Sequence, residues 1–367
     1  MSRFSVLVFP KQNEPGLLAL NGRCKSMVPV LGGSRIVDFF IGPPLAMGDR
    51  RVSVLTDKTL PALQDYLTYR YGGQIGSVQI GGFRGSMTGR SGCLVLRAGG
   101  VLLADWPALT RRLQELDQGL HAVKAGDDVV GYYAADAKSM EGFTRVLASA
   151  DESNDVDSLW GEIDEELGEG GRTAQTDARF YPLERVVEYV EFHFSMLDSP
   201  ELMSDLLSAL PSQTETGGSY IGPEGRVVDS FLAPSCTVSG SVERSILFPN
   251  VRIASGARVS DSIVLANNHI GEGAHLQNTV VCETTEIFSK VAPNIGDRCV
   301  IGETATSGRN DRYPDLISGG LTLIGENVSV PKACRIARNC YIDSNVDRGS
   351  LRVLGSVPAG ETVLSER

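Results

Sequence analysis

The sequence predicts a chain in two parts, a mixed α/β domain followed by a parallel β-helix. Over the first 150 residues strand and helix signals alternate, the pattern of a sheet with crossover helices. From about Ile221 onward an aliphatic residue recurs every six positions. Glycine supplies 41 of 367 residues, roughly 11% against a usual ~7%, so many tight turns are expected without the Gly-X-Y period of collagen.

Residues 5–9 (SVLVF) and 51–56 (RVSVLT) read as apolar strands. Leu60, Leu63, Tyr66, Leu67 and Tyr71 then follow helical spacing. Residues 77–80 and 93–97 read as strands, and 107–120 as a helix with Leu109, Leu113 and Leu116 on one face. The stretch 151–171 is dense in carboxylates and is read as a solvated acidic insertion or surface helix. It lacks the oxygen spacing of a calcium loop. Helical periodicity returns over 181–209 through Leu183, Val186, Val187, Val190, Phe194 and Leu197.

The repeats run through Ile221, Val227, Leu232 and Val238, then Leu247, Ile253, Val259, Val264, Ile270 and Leu276. They return at Ile295 and Ile301 and, in strict register, at Ile324, Val330, Ile336 and Ile342. Four residues after many of these aliphatics stands a modest side chain, as at Ala257, Ala274, Cys334 and Cys340. Each hexad supplies one short strand and one corner of a triangular prism. The aliphatic fills the interior, the small residue fits near the corner, and glycine or asparagine permits the turn. Stacked coils then bury a continuous core. The glycine excess is expected chiefly at these corners.

Composition narrows the function. The net charge is −11, with no basic stripe, which argues against a nucleic-acid partner. No apolar run approaches the roughly 18 residues of a membrane span, and the apolar run before Pro10 is too short for a signal peptide. Seven cysteines without a Cys-x-x-Cys pair read as reduced thiols of a cytoplasmic protein, with no metal site.

Residues 21–39 (NGRCKSMVPVLGGSRIVDF) resemble the R-A-K-P-A-V-P-F-G-G-x-x-R-I-I-D-F signature of the ADP-glucose pyrophosphorylase (glucose-1-phosphate adenylyltransferase) family. Residues 241–270 (SVERSILFPNVRIASGARVSDSIVLANNHI) are similar to that family's S-V-L-F-P-x-V-R-I stretch and its following D-S-V-L-L. The resemblance implies a shortened Rossmann-like nucleotidyltransferase domain over 1–150, an acidic insertion and helical connector over 151–218, and a left-handed β-helix over 219–367. It makes Arg23, Lys25, Gly32, Gly33 and Arg35 candidate ligand-binding residues.

The family's chemistry uses a G-G-x-G-T-R-L loop that cradles phosphates, a Lys-Pro lysine, a metal-binding aspartate in A-G-D-H, a second acidic metal ligand and a Glu-Lys-Pro lysine. Here the loop position reads Pro10-Lys11-Gln12-Asn13-Glu14-Pro15-Gly16, and prolines remove the N–H donors such a cradle needs. Lys25 matches the Lys-Pro lysine, with serine after it. The metal aspartate aligns with Gly100, the second metal region with Tyr181, Pro182 and Glu184, and Glu-Lys-Pro is missing. Relatives carry more chain before the β-helix, and the difference falls between Gly126 and Phe180.

The expectation is a non-catalytic regulatory or structural subunit of glycogen or storage-glucan synthesis, without a cofactor. It would assemble as a homo- or hetero-oligomer, with a complete homologue as a partner and a sugar phosphate or nucleotide as an effector. Three alternatives stand beside it. An active adenylyltransferase would use Arg23, Lys25 and Asp105 with Mg²⁺. A hexapeptide acyltransferase would use His269 or His275 as general base, although both also read as plain surface histidines. A binding module would keep an effector site without chemistry. Residues 81–85 (GGFRG) read as a loop, Asp38 as structural, Asp105 or Thr110 as a helix cap, and Arg309, Arg312 and Lys332 as an anion site or plain surface.

Overall fold

The computed structural model describes residues 5–12, 14–20, 24–48, 51–79, 92–149, 155–168, 172–210, 217–284, 292–303 and 309–365. Arg23 and the 81–85 loop lie outside them. The first sheet contains β1 (Ser5–Pro10), β2 (Arg51–Thr56), β3 (Gly76–Gln79), β4 (Cys93–Ala98), β5 (Leu120–Ala125), β6 (Asp128–Ala134) and β7 (Arg172–Thr176). Their order is β7-β5-β6-β4-β1-β2-β3. β1 pairs in parallel with β2 and β4, and β6 runs antiparallel to β4 and β5. Every residue of β1 is buried. Alternate side chains point to opposite faces, so both faces of the sheet are covered at its centre.

Helices α1 (Asp38–Ala46), α2 (Pro61–Tyr71), α3 (Trp106–Gln114), α4 (Ala137–Ser149) and α5 (Val156–Gly168) belong to this unit. α2 starts on Pro61, whose missing N–H costs nothing at a helix start, and buries Leu63, Leu67 and Tyr71. α3 is shorter than its leucine spacing suggests. It ends at Gln114, Gly119 turns at φ +90°, and Leu120 opens β5. The chain from 181 to 209 is also not one helix. Arg179–Tyr181 pairs antiparallel with Val101–Leu103, and α6 (Val186–Asp198) and α7 (Pro200–Ala209) break at Ser199, whose side chain caps α7.

Of the two readings of the acidic stretch, the described residues form the helix. Within it α5 buries Val156, Leu159, Trp160 and Ile163, one stripe at helical spacing, against the sheet. Glu162 and Glu165 are exposed, while Asp157 and Asp164 accept hydrogen bonds from Gln12 N and the Tyr132 hydroxyl. The sheet itself continues past residue 150, because β7 pairs in parallel with β5.

From Tyr220 the chain forms three parallel sheets, one per wall of a triangular β-helix. The first wall begins at Tyr220–Ile221, the second at Arg226–Val228 and the third at Phe231–Leu232. Apart from the exposed Ile221 of the first coil, the repeat aliphatics point inward, and Val242, Val281 and Val357 join them. Gly296 is needed for stacking: a β-carbon there would lie 2.6 Å from the Lys332 amide nitrogen of the next coil. The left-handed corner positions, however, are filled mainly by side-chain residues. Asn250, Asn267, Asn278, Asn327, Asn339 and Asn345 all have positive φ. Asparagine tolerates that conformation, and its amide links coils, as from Asn250 to Asn267 at 3.1 Å. Much of the turn chemistry expected of glycine is therefore asparagine's.

The third wall differs from the others. Beside the inward Leu247, Val264, Val281, Ile324 and Ile342 stand outward Ile246, Ile263, Val280, Leu323 and Tyr341, all buried in the core of the α/β unit. On the first two walls the equivalent residues include Thr237, Arg252, His269, Arg258, His275 and Arg335. The α/β unit thus covers one apolar wall of the β-helix. Each covered aliphatic is worth about 1.5–3 kcal/mol relative to exposure.

Candidate functional site

Ligands of parallel sheets gather at the carboxyl ends of the strands. Here β1 ends in Pro10-Lys11, and three donors of the following loop are occupied. Lys11 N donates to Ser26 Oγ (2.8 Å), Gln12 N to Asp157 Oδ2 (3.2 Å) and Leu17 N to Glu14 O (3.0 Å). Ser26 Oγ in turn donates to Ala98 O at 2.6 Å, so the serine after Lys25 fastens this loop to the end of β4. A β-carbon at Gly16 would meet Glu184 O at 2.4 Å, which shows how tightly the loop lies on the connector.

Lys25 sits in a 3₁₀ turn beneath this loop and is fully buried. Its Nζ has no hydrogen-bond partner among the described residues. Burial pushes its pKa down to about 8, and the Lys11 charge adds to this against Glu14, Glu184 and Glu188. α5 closes the same region. Asp157 pairs with Arg97 at 2.9 Å, and the Arg97 guanidinium lies 5.3 Å from the Trp160 ring centre. Trp160 also meets Phe9 edge-on, with ring centres 5.5 Å apart, and lies tilted against Tyr132.

Gly100 decides whether a metal carboxylate fits. A β-carbon there would lie 2.3 Å from Tyr181 O and 2.8 Å from both Pro182 Cα and Phe180 Cζ. Two of these three contacts are backbone, so this conformation has no room for an aspartate. The residues do not fit a magnesium ion, and among the described residues no cluster of three His, Cys, Asp or Glu could hold a metal. Asp105, the candidate substitute, accepts from Ala108 N at 3.0 Å and caps α3. It lines a separate cavity with Arg112 and Asp177.

Gly32, Gly33 and Arg35 come together elsewhere, without Lys25. They line a cleft of about 390 Å³ between the α/β unit and the β-helix. Gly32 takes φ +57° in the turn before Arg35. Arg35 donates to Met27 O at 2.6 Å and to both oxygens of Glu283 at 3.0 Å. Asp38 fixes it from behind, accepting from Arg35 N and from the Tyr66 and Tyr71 hydroxyls. Opposite stands Glu326, whose carboxyl is pushed up to about 7 by burial and by the Glu283 charge, against Arg35. Thr284 Oγ1 is buried there without a partner among the described residues. The guanidinium is already matched by the Glu283 carboxylate, and Glu326 lies nearby.

Sequence reasoning missed Glu283, Glu326 and Asp157, because only stacking of coils and docking of α5 bring them to these places. His275 Nδ1 lies 3.4 Å from Glu303 at the surface of the second wall. His193, by contrast, is buried between the carbonyls of Tyr189 and Val30. Burial pushes its pKa down to about 4.

Fold and sites together describe an α/β domain docked on a hexapeptide-repeat β-helix. Residues 218–311 match the family model described as GlmU-like, C-terminal hexapeptide. Curated relatives give a more particular likeness, to glucose-1-phosphate adenylyltransferases. The chain is 36% identical over 135 residues to that of Acetivibrio thermocellus, covering 34% of this chain and 27% of the relative. It is 30% identical over 145 residues to that of Pseudothermotoga lettingae (40% and 32%), and 29% over 152 residues to that of Desulforamulus reducens (40% and 34%). The matches therefore span about a third or less of each relative's length.

Proposed function

We propose that this protein is a non-catalytic regulatory or structural subunit of the glucose-1-phosphate adenylyltransferase type, acting in glycogen or storage-glucan synthesis. It assembles with a complete homologue in the cytoplasm and alters that homologue's response to a sugar-phosphate or nucleotide effector. The observation that carries this reading is Gly100, closed off by the Tyr181–Pro182 backbone where the family places a metal carboxylate. The occupied N–H donors of Lys11, Gln12 and Leu17 support it. Phosphoryl-transfer sites act almost wholly by positioning and charge stabilisation, so losing the cradle and the metal together removes most of the catalysis.

The test is ADP-glucose formation from ATP and glucose 1-phosphate with Mg²⁺. The purified chain alone is expected to be inactive. Co-expressed with a complete homologue, it should co-purify and change that enzyme's effector response. Turnover by the chain alone at an ordinary enzymatic rate would sink the proposal and favour an active site built on Arg23, Lys25 and Asp105.

A further inference from the structure

The first wall of the β-helix stops short. Its strands stack from Tyr220–Ile221 to His269–Ile270 and continue as single bridges through Ile295 and Val330. One coil later, where the next strand would stack beyond Val330, the chain leaves as α8 (Arg348–Leu354) and rejoins the second wall at Ser356–Val357. Leu351 holds α8 down by burying itself in the prism core, and Asp347 caps the helix. Between α8 and the corners near Asp297 and Lys332 a groove of about 500 Å³ opens.

Lys332, Arg348 and Arg352 all line this groove. Arg348 is fixed in place, donating from Nε to Ser329 Oγ at 3.1 Å and from Nη2 to Pro293 O at 2.9 Å. Lys332 and Arg352 are exposed and make no ion pair or hydrogen bond among the described residues. The carboxylate in the lining, Asp297, already accepts from Glu272 N at 3.0 Å. Three cations against the one carboxylate of Asp297 leave the groove with an excess of positive charge, which a bound anion would offset. On a chain of net charge −11 this arrangement contrasts with the acidic cleft at Arg35. Leu351 and Pro331 give the groove an apolar side.

We propose that this groove is a binding site for a phosphorylated small molecule, with the phosphate held by Lys332, Arg348 and Arg352 and the body of the ligand against Leu351 and Pro331. The site goes beyond the subunit role above and stands whether or not the chain turns over ADP-glucose.

Isothermal titration of the full chain at low salt tests it. Inorganic phosphate, pyrophosphate, fructose 1,6-bisphosphate, AMP and ATP are the probes, with glucose and adenosine as unphosphorylated controls. The arms separate a bare phosphate from a sugar or nucleotide source. At least one phosphorylated probe should bind and the controls should not. The double variant Lys332→Glu/Arg352→Glu changes only exposed side chains, so it should fold normally. It should weaken binding by about tenfold or more. Glu326→Gln, in the other cleft, should change affinity by less than about twofold. The proposal is overturned if no phosphorylated probe binds, if the double variant binds as the parent does, or if binding survives there and is lost in Lys25→Met.

Discussion

Glu326 gives the sharpest test of the cleft. Its carboxyl is pushed from 4.5 up to about 7, first by burial and then by Glu283. Between those two values the folded chain holds a proton that the unfolded chain releases. Stability from this group is therefore complete below about pH 4.5 and is lost as pH rises through about 7. At about 1.36 kcal/mol per pKa unit, the full loss by pH 8 is of order 3 kcal/mol. Glu326→Gln keeps the shape and removes the proton equilibrium. Urea unfolding of parent and variant from pH 5 to pH 8.5 should show curves that diverge with rising pH, the variant ending higher by about 1–3 kcal/mol. Parallel curves, offset by a constant amount, would show that Glu326 ionises as an ordinary surface carboxylate and would refute the reasoning.

Three further outcomes follow from the α/β unit. Gly100→Asp should destabilise by about 3 kcal/mol or more, read as a fall in the urea midpoint, without creating Mg²⁺ binding by calorimetry, because the new side chain meets backbone at Tyr181 and Pro182. Lys25→Met removes a buried cation whose pKa is lowered from 10.5 to about 8, so it should raise stability at pH 7 by about 1–3 kcal/mol. That gain should shrink as pH rises toward 10, where the parent's own lysine becomes neutral, and unfolding at both pH values checks it. Trp160→Ala should cost about 3–5 kcal/mol in unfolding free energy, since it removes the ring that joins α5 to Phe9, Tyr132 and Arg97.

Much of the architecture was legible because period and position coincide. The hexad aliphatics point inward where expected, and β1, β2 and α2 fall almost on their apolar segments. The failures have physical causes. The β5–β6 hairpin turns at Ala125-Gly126-Asp127-Asp128, but β5 carries His121 and Lys124 and so lacks a continuous apolar run. α5 was hidden by its acids, although Val156, Leu159, Trp160 and Ile163 already stood at helical spacing. The sites were less legible than the fold. Resemblance pointed to Gly100 and to the Gly32–Arg35 turn. It could not reveal that Lys25 lies outside that cleft, or that Glu283 and Glu326 converge there, since their meeting depends on coil stacking.

The third wall explains why the β-helix needs the α/β domain against it, whatever chemistry that domain carries. Ile246, Phe248, Ile263, Leu265, Val280, Leu323 and Tyr341 form an outward apolar surface that no soluble β-helix could leave bare. The α/β unit covers it with residues that include α6, where His193 faces Phe248 with ring centres 6.0 Å apart. Arg35 adds a polar lock at the same boundary through Glu283. These contacts depend on the shape and packing of the domain and on none of the parts that phosphoryl transfer requires. The docking surface therefore holds whether or not the chain catalyses phosphoryl transfer. The packing of the α/β unit on the β-helix can thus be kept under structural demand alone.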